Sequence, residues 1–310
     1  MAAQHPDPVV VWCFTDGKAG HANQAQGLLA ALRELVPIDA HTLPVADIHM
    51  PLWSLLSGRF AAGRDLPDPD LILGAGRATH LPMLAARRAR GGRAVVLMKP
   101  GLPLSWFDLC IIPAHDRPRP QANVLQTTGV LNRVRFQANK DPASGLFLVG
   151  GPSPHVDWSS EAVVEQISLI VEQSPAIRWQ LATSRRTPDE LVNLLHRCPA
   201  TRLTVVPAAA TGPDWLPQQL AAASVVWVSA DSVSMVYEAL TSGAAVGLLS
   251  VPYRKANDRL AGGLRKLLDD GLVTDYEGWR HGRELQPPAV PLDEAGRCAE
   301  WIAGKWLASG

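Results

Sequence analysis

The sequence predicts an α/β protein of two doubly wound domains facing a cleft. Short apolar runs alternate with helix-like segments along most of the chain, the pattern of strand–helix repeats in a parallel sheet. The alternation occurs twice, on either side of a polar stretch, residues 133–144 (RVRFQANKDPAS), which reads as a linker. Each series places a glycine-rich or polar turn after its first strand, around Gly17 and Gly20 in one and Gly150 and Gly151 in the other. The domains are expected at residues 1–138 and 139–310. The substrate is expected between them, because open parallel sheets bind ligands beyond the carboxyl ends of their strands.

Composition narrows the function classes. A chain of 310 residues is long enough for two domains, and 47% apolar residues supply a full core. The formal net charge is +0 and the pI about 7.1, unlike the strongly basic balance of a bulk nucleic-acid binder. Cys13, Cys110, Cys198 and Cys298 lie far apart with no C-x-x-C pair, so neither zinc spacing nor a disulfide framework is expected. The start, MAAQHPDP, lacks the basic and apolar regions of a signal peptide. No apolar run approaches the roughly 20 residues that span a bilayer. A soluble, cytoplasmic protein is expected, with at most peripheral contact at the inner face of a membrane.

In the first series, residues 9–15 (VVVWCFT) read as a buried strand running into Asp16-Gly17-Lys18-Ala19-Gly20-His21 and a helix over 22–35. Glycines in such a loop let a ligand approach the backbone at the helix N-terminus; P-loop spacing is absent. His21 stands at the mouth of the sheet, either as a general base or as a solvated helix start. A second strand is expected at 38–43. Residues 51–64, with Leu52, Trp53, Leu55, Leu56 and Phe60, read as an amphipathic insert, taken as core in preference to a membrane-facing patch. Asp68-Pro69-Asp70 matches the D-x-D of metal-dependent sugar transferases, but its proline makes it a loop. Strand 71–74 leads through Gly74-Ala75-Gly76 into a helix ending near Arg90. This partial dinucleotide fingerprint lacks its third glycine, and the next strand, 94–98, ends in Lys99 where a ribose would need an acid, so NAD is not expected. Strand 109–112 runs into Pro113-Ala114-His115-Asp116, which puts His115 and Asp116 at a ligand-binding end. Strand 124–128 closes the series.

The second series starts with strand 146–149, Gly150-Gly151-Pro152 and a helix over 159–172. Strand 178–182 ends in Thr183-Ser184-Arg185-Arg186-Thr187-Pro188, where Thr187 and Glu190 suit a capping box. Arg185 and Arg186 either hold a diphosphate bidentately or are surface arginines. Strand 202–206 and helix 214–222 precede residues 225–249 (VVWVSADSVSMVYEALTSGAAVGLL), which read as strand, turn, helix and strand. In the turn, Asp231 or Ser232 can cap the helix, and the N–H groups beside them can hold an anion. Ser234 and Glu238 are four apart and share a helix face, a hydroxyl and a carboxylate that suit a phosphate and a ribose diol. The alternative is a plain N-cap with a solvated glutamate. Pro252-Tyr253-Arg254-Lys255 is a second basic loop, 257–269 a helix, and 298–307, with Trp301, Ile302 and Trp306, an amphipathic C-terminal helix.

Five stretches together resemble one family: Thr15–His21 (TDGKAGH) with Gln24, His115-Asp116-Arg117-Pro118, residues 123–132 (NVLQTTGVLN), residues 183–188 (TSRRTP) and residues 229–238 (SADSVSMVYE). The set is similar to the mitochondrial-fission "elongated mitochondria" family, which has plant and many bacterial members, and the likeness spans nearly the whole chain. The resemblance implies a glycosyltransferase-like GT-B protein. Such proteins have two Rossmann-like domains, nucleotide sugar mainly on the C-terminal domain, acceptor mainly on the N-terminal one and no obligate metal. It also implies a C-terminal helix that crosses back to the first domain. A looser parallel with the bacterial glycosyltransferase that makes lipid II points to Gly20-His21 and to Ser232, Ser234 and Glu238. Asp16 and Lys18 depart from that enzyme, so its acceptor does not carry over. Ala244-Ala245-Val246 replaces a common Lys-Pro-Val, which loses a proline and leaves the strand intact.

The expected function is metal-independent transfer of a sugar from a nucleotide sugar to a hydroxyl acceptor, such as an envelope or lipid-linked glycan, with no cofactor besides the co-substrate. Arg185, Asp231, Ser232, Ser234, Met235 and Glu238 are the expected nucleotide-sugar residues. His21 or Asp16 is the expected base, and Gly17, Lys18, Gly20, His115 and Asp116 line the acceptor side. A sugar-nucleotide epimerase using His115, Asp116 and Asp16 is the first alternative; a non-enzymatic adaptor is the second.

Overall fold

Runs such as Leu71–Ala75 and Leu109–Pro113, apolar at every position, can be stable only where both faces are covered, and a parallel sheet with helices on each side provides that. A computed structural model describes residues 7–48, 60–197, 202–212, 214–255 and 259–307. It divides the chain into two units, Met1–Arg133 with Glu294–Gly310, and Val134–Asp293.

Unit 1 contains β1 (Val9–Thr15), α1 (Ala19–Leu35), β2 (Ile38–Pro44), β3 (Leu71–Ala75), α2 (Arg77–Arg90), β4 (Arg93–Leu97), β5 (Leu109–Pro113) and β6 (Val124–Thr127). Its strands are parallel, in the order β2-β1-β3-β4-β5-β6. The winding direction reverses between β1 and β3. Side chains alternate along β1: Val9, Val11 and Cys13 enter the core layer under α1, while Trp12 and Phe14 enter the layer under α2. Phe60 joins that second layer, with its ring 5.9 Å from both Trp12 and Phe14. Residues 51–59 of the expected insert, including Leu52, Trp53, Leu55 and Leu56, lie outside the described residues, as does Cys198.

Unit 2 contains β7 (Asp141–Val149), α3 (Ser160–Gln173), β8 (Arg178–Thr183), α4 (Asp189–Arg197), β9 (Leu203–Val206), α5 (Trp215–Ala222), β10 (Ala223–Ser229), α6 (Val233–Thr241), β11 (Ala245–Leu249), α7 (Arg259–Asp269), β12 (Thr274–Asp275) and α8 (Tyr276–Arg280). The parallel order is β12-β11-β10-β7-β8-β9, and the winding reverses between β7 and β10. Glycines let broad side chains lie across this sheet. Trp179 packs where Gly145 of the neighbouring strand has no Cβ, and Trp227 does the same over Gly247.

The chain then returns to unit 1. α9 (Glu294–Ile302) and a π-helical turn, Ala303–Leu307, place Ala295, Cys298, Ala299, Ile302 and Leu307 against Leu28 and Leu32 of α1. Glu294 Oε2 accepts from the Thr128 N–H at 3.0 Å, and Arg297 donates to the Gln126 carbonyl at 2.6 Å.

Several local expectations change. Asp141–Ser144, read as the end of a linker, form the first half of β7; their polar side chains hide a strand whose apolar half begins at Gly145. The units meet in sequence at Arg133 and Val134 rather than at 138, and the final helix starts at Glu294 rather than 298. The D-x-D carboxylates are structural: Asp68 pairs with Arg90, and Asp70 accepts from the Val10 N–H at 2.8 Å. Thr187 makes no capping box. Its hydroxyl accepts from the Ser184 N–H at 2.7 Å and lies within hydrogen-bond reach of the Val149 and Gly150 carbonyls. Burial pushes the thiols of Cys13 and Cys110 up to about 12, so both behave as inert core groups.

Candidate functional site

In each unit a group of candidate residues lies where the winding reverses, because there two neighbouring loops diverge to opposite faces and leave a crevice at the strand ends. In unit 1 these are the loops after β1 and β3. Gly17 turns the chain with φ +78°, and its N–H donates to Thr15 Oγ1 at 3.2 Å. The Asp16 carboxylate folds over the turn and accepts from the Lys18 N–H at 3.2 Å. His21, on the first turn of α1, sets Nδ1 2.9 Å from Asp16 Oδ2 and 3.1 Å from Oδ1. This contact favours the tautomer with the proton on Nδ1, which leaves Nε2 as an acceptor. Asp16 is 7% exposed and His21 20%. Burial alone would raise the Asp16 carboxyl, but the Lys18 N–H, His21 and the Lys18 ammonium outweigh it and hold the group below its usual value.

From the β3 side, Gly76 closes on this pair. It has φ +92°, and a Cβ there would enter the His21 ring and come 2.8 Å from Asp16 Oδ2. In the sequence Gly76 shows only as part of an incomplete dinucleotide fingerprint; its role follows from the neighbouring loop. Lys18, Gly17 and Gly20 form an exposed stretch beside the pair. His115 and Asp116 lie on a separate turn after β5. Asp116 is buried, His115 Nε2 is 4.0 Å from its Oδ1, and Lys99 donates to its carbonyl at 3.4 Å. His80, which belongs to no motif in the sequence, is a core ring edge-on to Phe107 at 5.6 Å. Burial and then Arg77 lower its pKa, which keeps it neutral.

In unit 2 the loops after β7, β8, β10 and β11 interlock. Asp231 does not cap α6. Its side chain is 0% exposed, and Oδ2 accepts from Arg186 Nη2 at 2.8 Å and from the Gly151 N–H at 3.0 Å. Its Oδ1 has no hydrogen-bond partner among the described residues. Arg186 also donates to the Gly151 carbonyl at 2.8 Å. Ser229 Oγ takes the Gly150 N–H at 2.8 Å, and Ser184 Oγ donates to the Gly150 carbonyl at 3.0 Å. Tyr253 Oη donates to the Ala230 carbonyl at 2.6 Å. Both N–H groups of Gly150-Gly151 are therefore already used by side chains, and this loop is a packing device rather than an anion cradle.

Two features of this end remain open. Ser232 is the N-cap residue of α6, yet its side chain makes no cap bond, which leaves the first-turn N–H groups of Val233, Ser234 and Met235 uncapped by it. Ser234 is exposed, with half-buried Met235 beside it and half-buried Glu238 one turn deeper on the same face. Arg185 is exposed, and no described residue forms a hydrogen bond or ion pair with its guanidinium. Among the described residues, no group of three or more His, Cys, Asp or Glu side chains is placed to hold a metal ion, and no helix is long and apolar enough to cross a membrane.

The profile of the family described as Mitochondrial fission ELM1 matches residues 19–306. Uncharacterized protein RP120 of Rickettsia prowazekii (strain Madrid E) is 22% identical over 286 residues, 75% of this chain and 81% of that protein. The UDP-GlcNAc 2-epimerase of Methanocaldococcus jannaschii superposes with a TM-score of 0.58 at 11% identity, covering 96% of this chain and 100% of that one. The glycotransferase of kitacinnamycin superposes with a TM-score of 0.53 at 14% identity, covering 97% and 100%. At these identities the likeness is one of fold: a two-domain α/β architecture of the GT-B type.

Proposed function

The chain belongs to the family described as Mitochondrial fission ELM1, and on that premise we propose that it is a metal-independent glycosyltransferase using a nucleotide sugar. The observation that carries this reading is the open start of α6 at the winding reversal of unit 2, with Ser234 exposed and Glu238 one turn deeper. Uncapped N–H groups and the positive end of the helix suit a diphosphate, and Arg185 adds a bidentate cation. Glu238 accepts from the ribose hydroxyls, while Ser232 and Met235 complete the wall. As the sugar leaves, charge develops on the nucleoside diphosphate, and the helix start with Arg185 stabilises it without a metal.

The acceptor hydroxyl, on an envelope or lipid-linked glycan, gives its proton to His21 Nε2. Asp16 holds the ring by Nδ1 and stabilises the imidazolium that results. Gly17, Lys18 and Gly20 form the acceptor side, and the site of action is the cytoplasm or the inner face of a membrane. The test is calorimetric titration of wild type and Glu238→Ala with a panel of nucleotide sugars, starting with UDP-GlcNAc, followed by transfer assays with radiolabelled donor. Binding that Glu238→Ala abolishes, and transfer that His21→Ala slows by about 100-fold or more, are the expected results. Absence of binding by every donor would remove the proposal.

Epimerisation is the second reading, favoured by a further acid–base pair, His115 and Asp116, at the strand ends of unit 1. It requires conversion of the donor sugar without any acceptor, which the same assay reads. In that case Asp116→Asn would abolish turnover and His21→Ala would spare it.

A further inference from the structure

Tandem arginines at the end of β8 look equivalent in sequence, but their surroundings differ sharply. Residues Ser184–Thr187 form a turn closed by the Thr187 N–H on the Ser184 carbonyl at 3.1 Å. Ser184 Oγ fixes the turn to the Gly150 carbonyl, and Arg186 fixes it to the Gly151 carbonyl and to Asp231. Arg185 is then the member of the turn whose side chain faces solvent, unheld by any described residue. Asp231 in turn directly precedes Ser232, where α6 begins. One ion pair thus ties the turn that carries Arg185 to the start of α6. The fit is tight on both sides: a Cβ at Gly150 would enter the Asp231 carboxylate, and one at Gly151 would enter the Arg186 carbonyl. The Asp231 carboxylate is itself fully buried and paired with Arg186, so it presents no surface to a diphosphate.

We propose that Asp231 and Arg186 are positioning residues, a strut about the buried Asp231 carboxylate that holds Arg185 at the distance from the first turn of α6 that a nucleoside diphosphate requires. The inference rests on the nucleotide-sugar reading and assigns distinct work to each arginine. Asp231 touches no ligand; it acts through Arg185.

Calorimetric titration at 10 °C with UDP, ADP and GDP tests this, using variants whose circular dichroism matches wild type at that temperature. Arg185→Gln and Asp231→Asn should each weaken the best diphosphate about tenfold. The double variant should bind no more weakly than the weaker-binding single variant, because the strut has nothing left to position. Arg186→Lys, which keeps the charge opposite Asp231, should bind better than Arg186→Gln. Wild-type affinity in Asp231→Asn, or losses that multiply in the double variant, would overturn the proposal while leaving the donor site in place. A wild-type protein that binds none of the three diphosphates would overturn the nucleotide reading and this inference with it.

Discussion

His21 Nδ1 lies 2.9 Å from Asp16 Oδ2, and the missing side chain of Gly76 is what gives the two room. A methyl group at position 76 has nowhere to go: one neighbour is the imidazole and the other the carboxylate. Gly76→Ala should therefore separate the pair. It also carries the strain of a non-glycine residue at φ +92°, about 1 kcal/mol or more. The expected outcome is a transition midpoint lower by a few degrees and a displaced His21 proton resonance, both measurable without knowing the substrate.

The same pair sets a pH dependence. Asp16 is held below its ordinary value of 3.8 in the folded chain. Its ionised form thus stabilises the fold at pH above the ordinary carboxylate range, and that contribution is lost as the pH falls through the folded-state pKa. Asp16→Asn should be less stable than wild type at neutral pH, and the gap should narrow on acidification towards about pH 3. Urea midpoints recorded across this range check it; a gap that widens in acid would contradict the assignment.

Arg185 and Arg186 should separate in stability, although both serve binding. Arg186→Met leaves the Asp231 carboxylate buried without its cation, a loss of about 3 kcal/mol for a closed pair. Because Arg186 is 42% exposed, solvent screens part of this, and about 2 kcal/mol is expected. Arg185→Met should stay within about 0.5 kcal/mol of wild type. Urea denaturation of the two variants gives the comparison.

Gly145 offers a test remote from either candidate site. Its hydrogen takes the place of a side chain under the Trp179 indole, which in turn lies 4.5 Å from the Phe147 ring. Gly145→Ala should drive the indole off its position, at a cost of about 1–3 kcal/mol. A shift in near-ultraviolet circular dichroism should accompany the loss. Nucleotide affinity at low temperature should be unchanged.

Strand and helix positions were largely legible because apolar runs and turn residues are local signals. Val9–Thr15 and Ala245–Leu249 were bounded by sequence alone. β7 was half missed because Asp141–Ser144 look like linker, and β12 was missed because two residues make no pattern. In the candidate sites, His21 with Asp16 was legible as a loop motif, and Ser234 with Glu238 as a helix face. The partners were not. Arg186 reaches Asp231 across 45 positions in sequence, and Gly76 reaches His21 from a different strand. Only the strand order, β1 beside β3 and β7 beside β10, brings these residues together. The cap expected from Asp231 or Ser232 is not made, and for Asp231 the reason is the same: the Arg186 guanidinium competes better for its carboxylate than the local N–H groups do.

The return of residues 294–307 to unit 1 bears on how the protein is made. Leu28 and Leu32 precede unit 2 in the chain, but the surface that covers them, Ala295, Cys298, Ala299, Ile302 and Leu307, is synthesised only after unit 2. Domains commonly fold in the order in which they leave the ribosome. Here unit 2, encoded by one continuous stretch, can complete its core while unit 1 still waits with an apolar face exposed to chaperones and to neighbouring nascent chains.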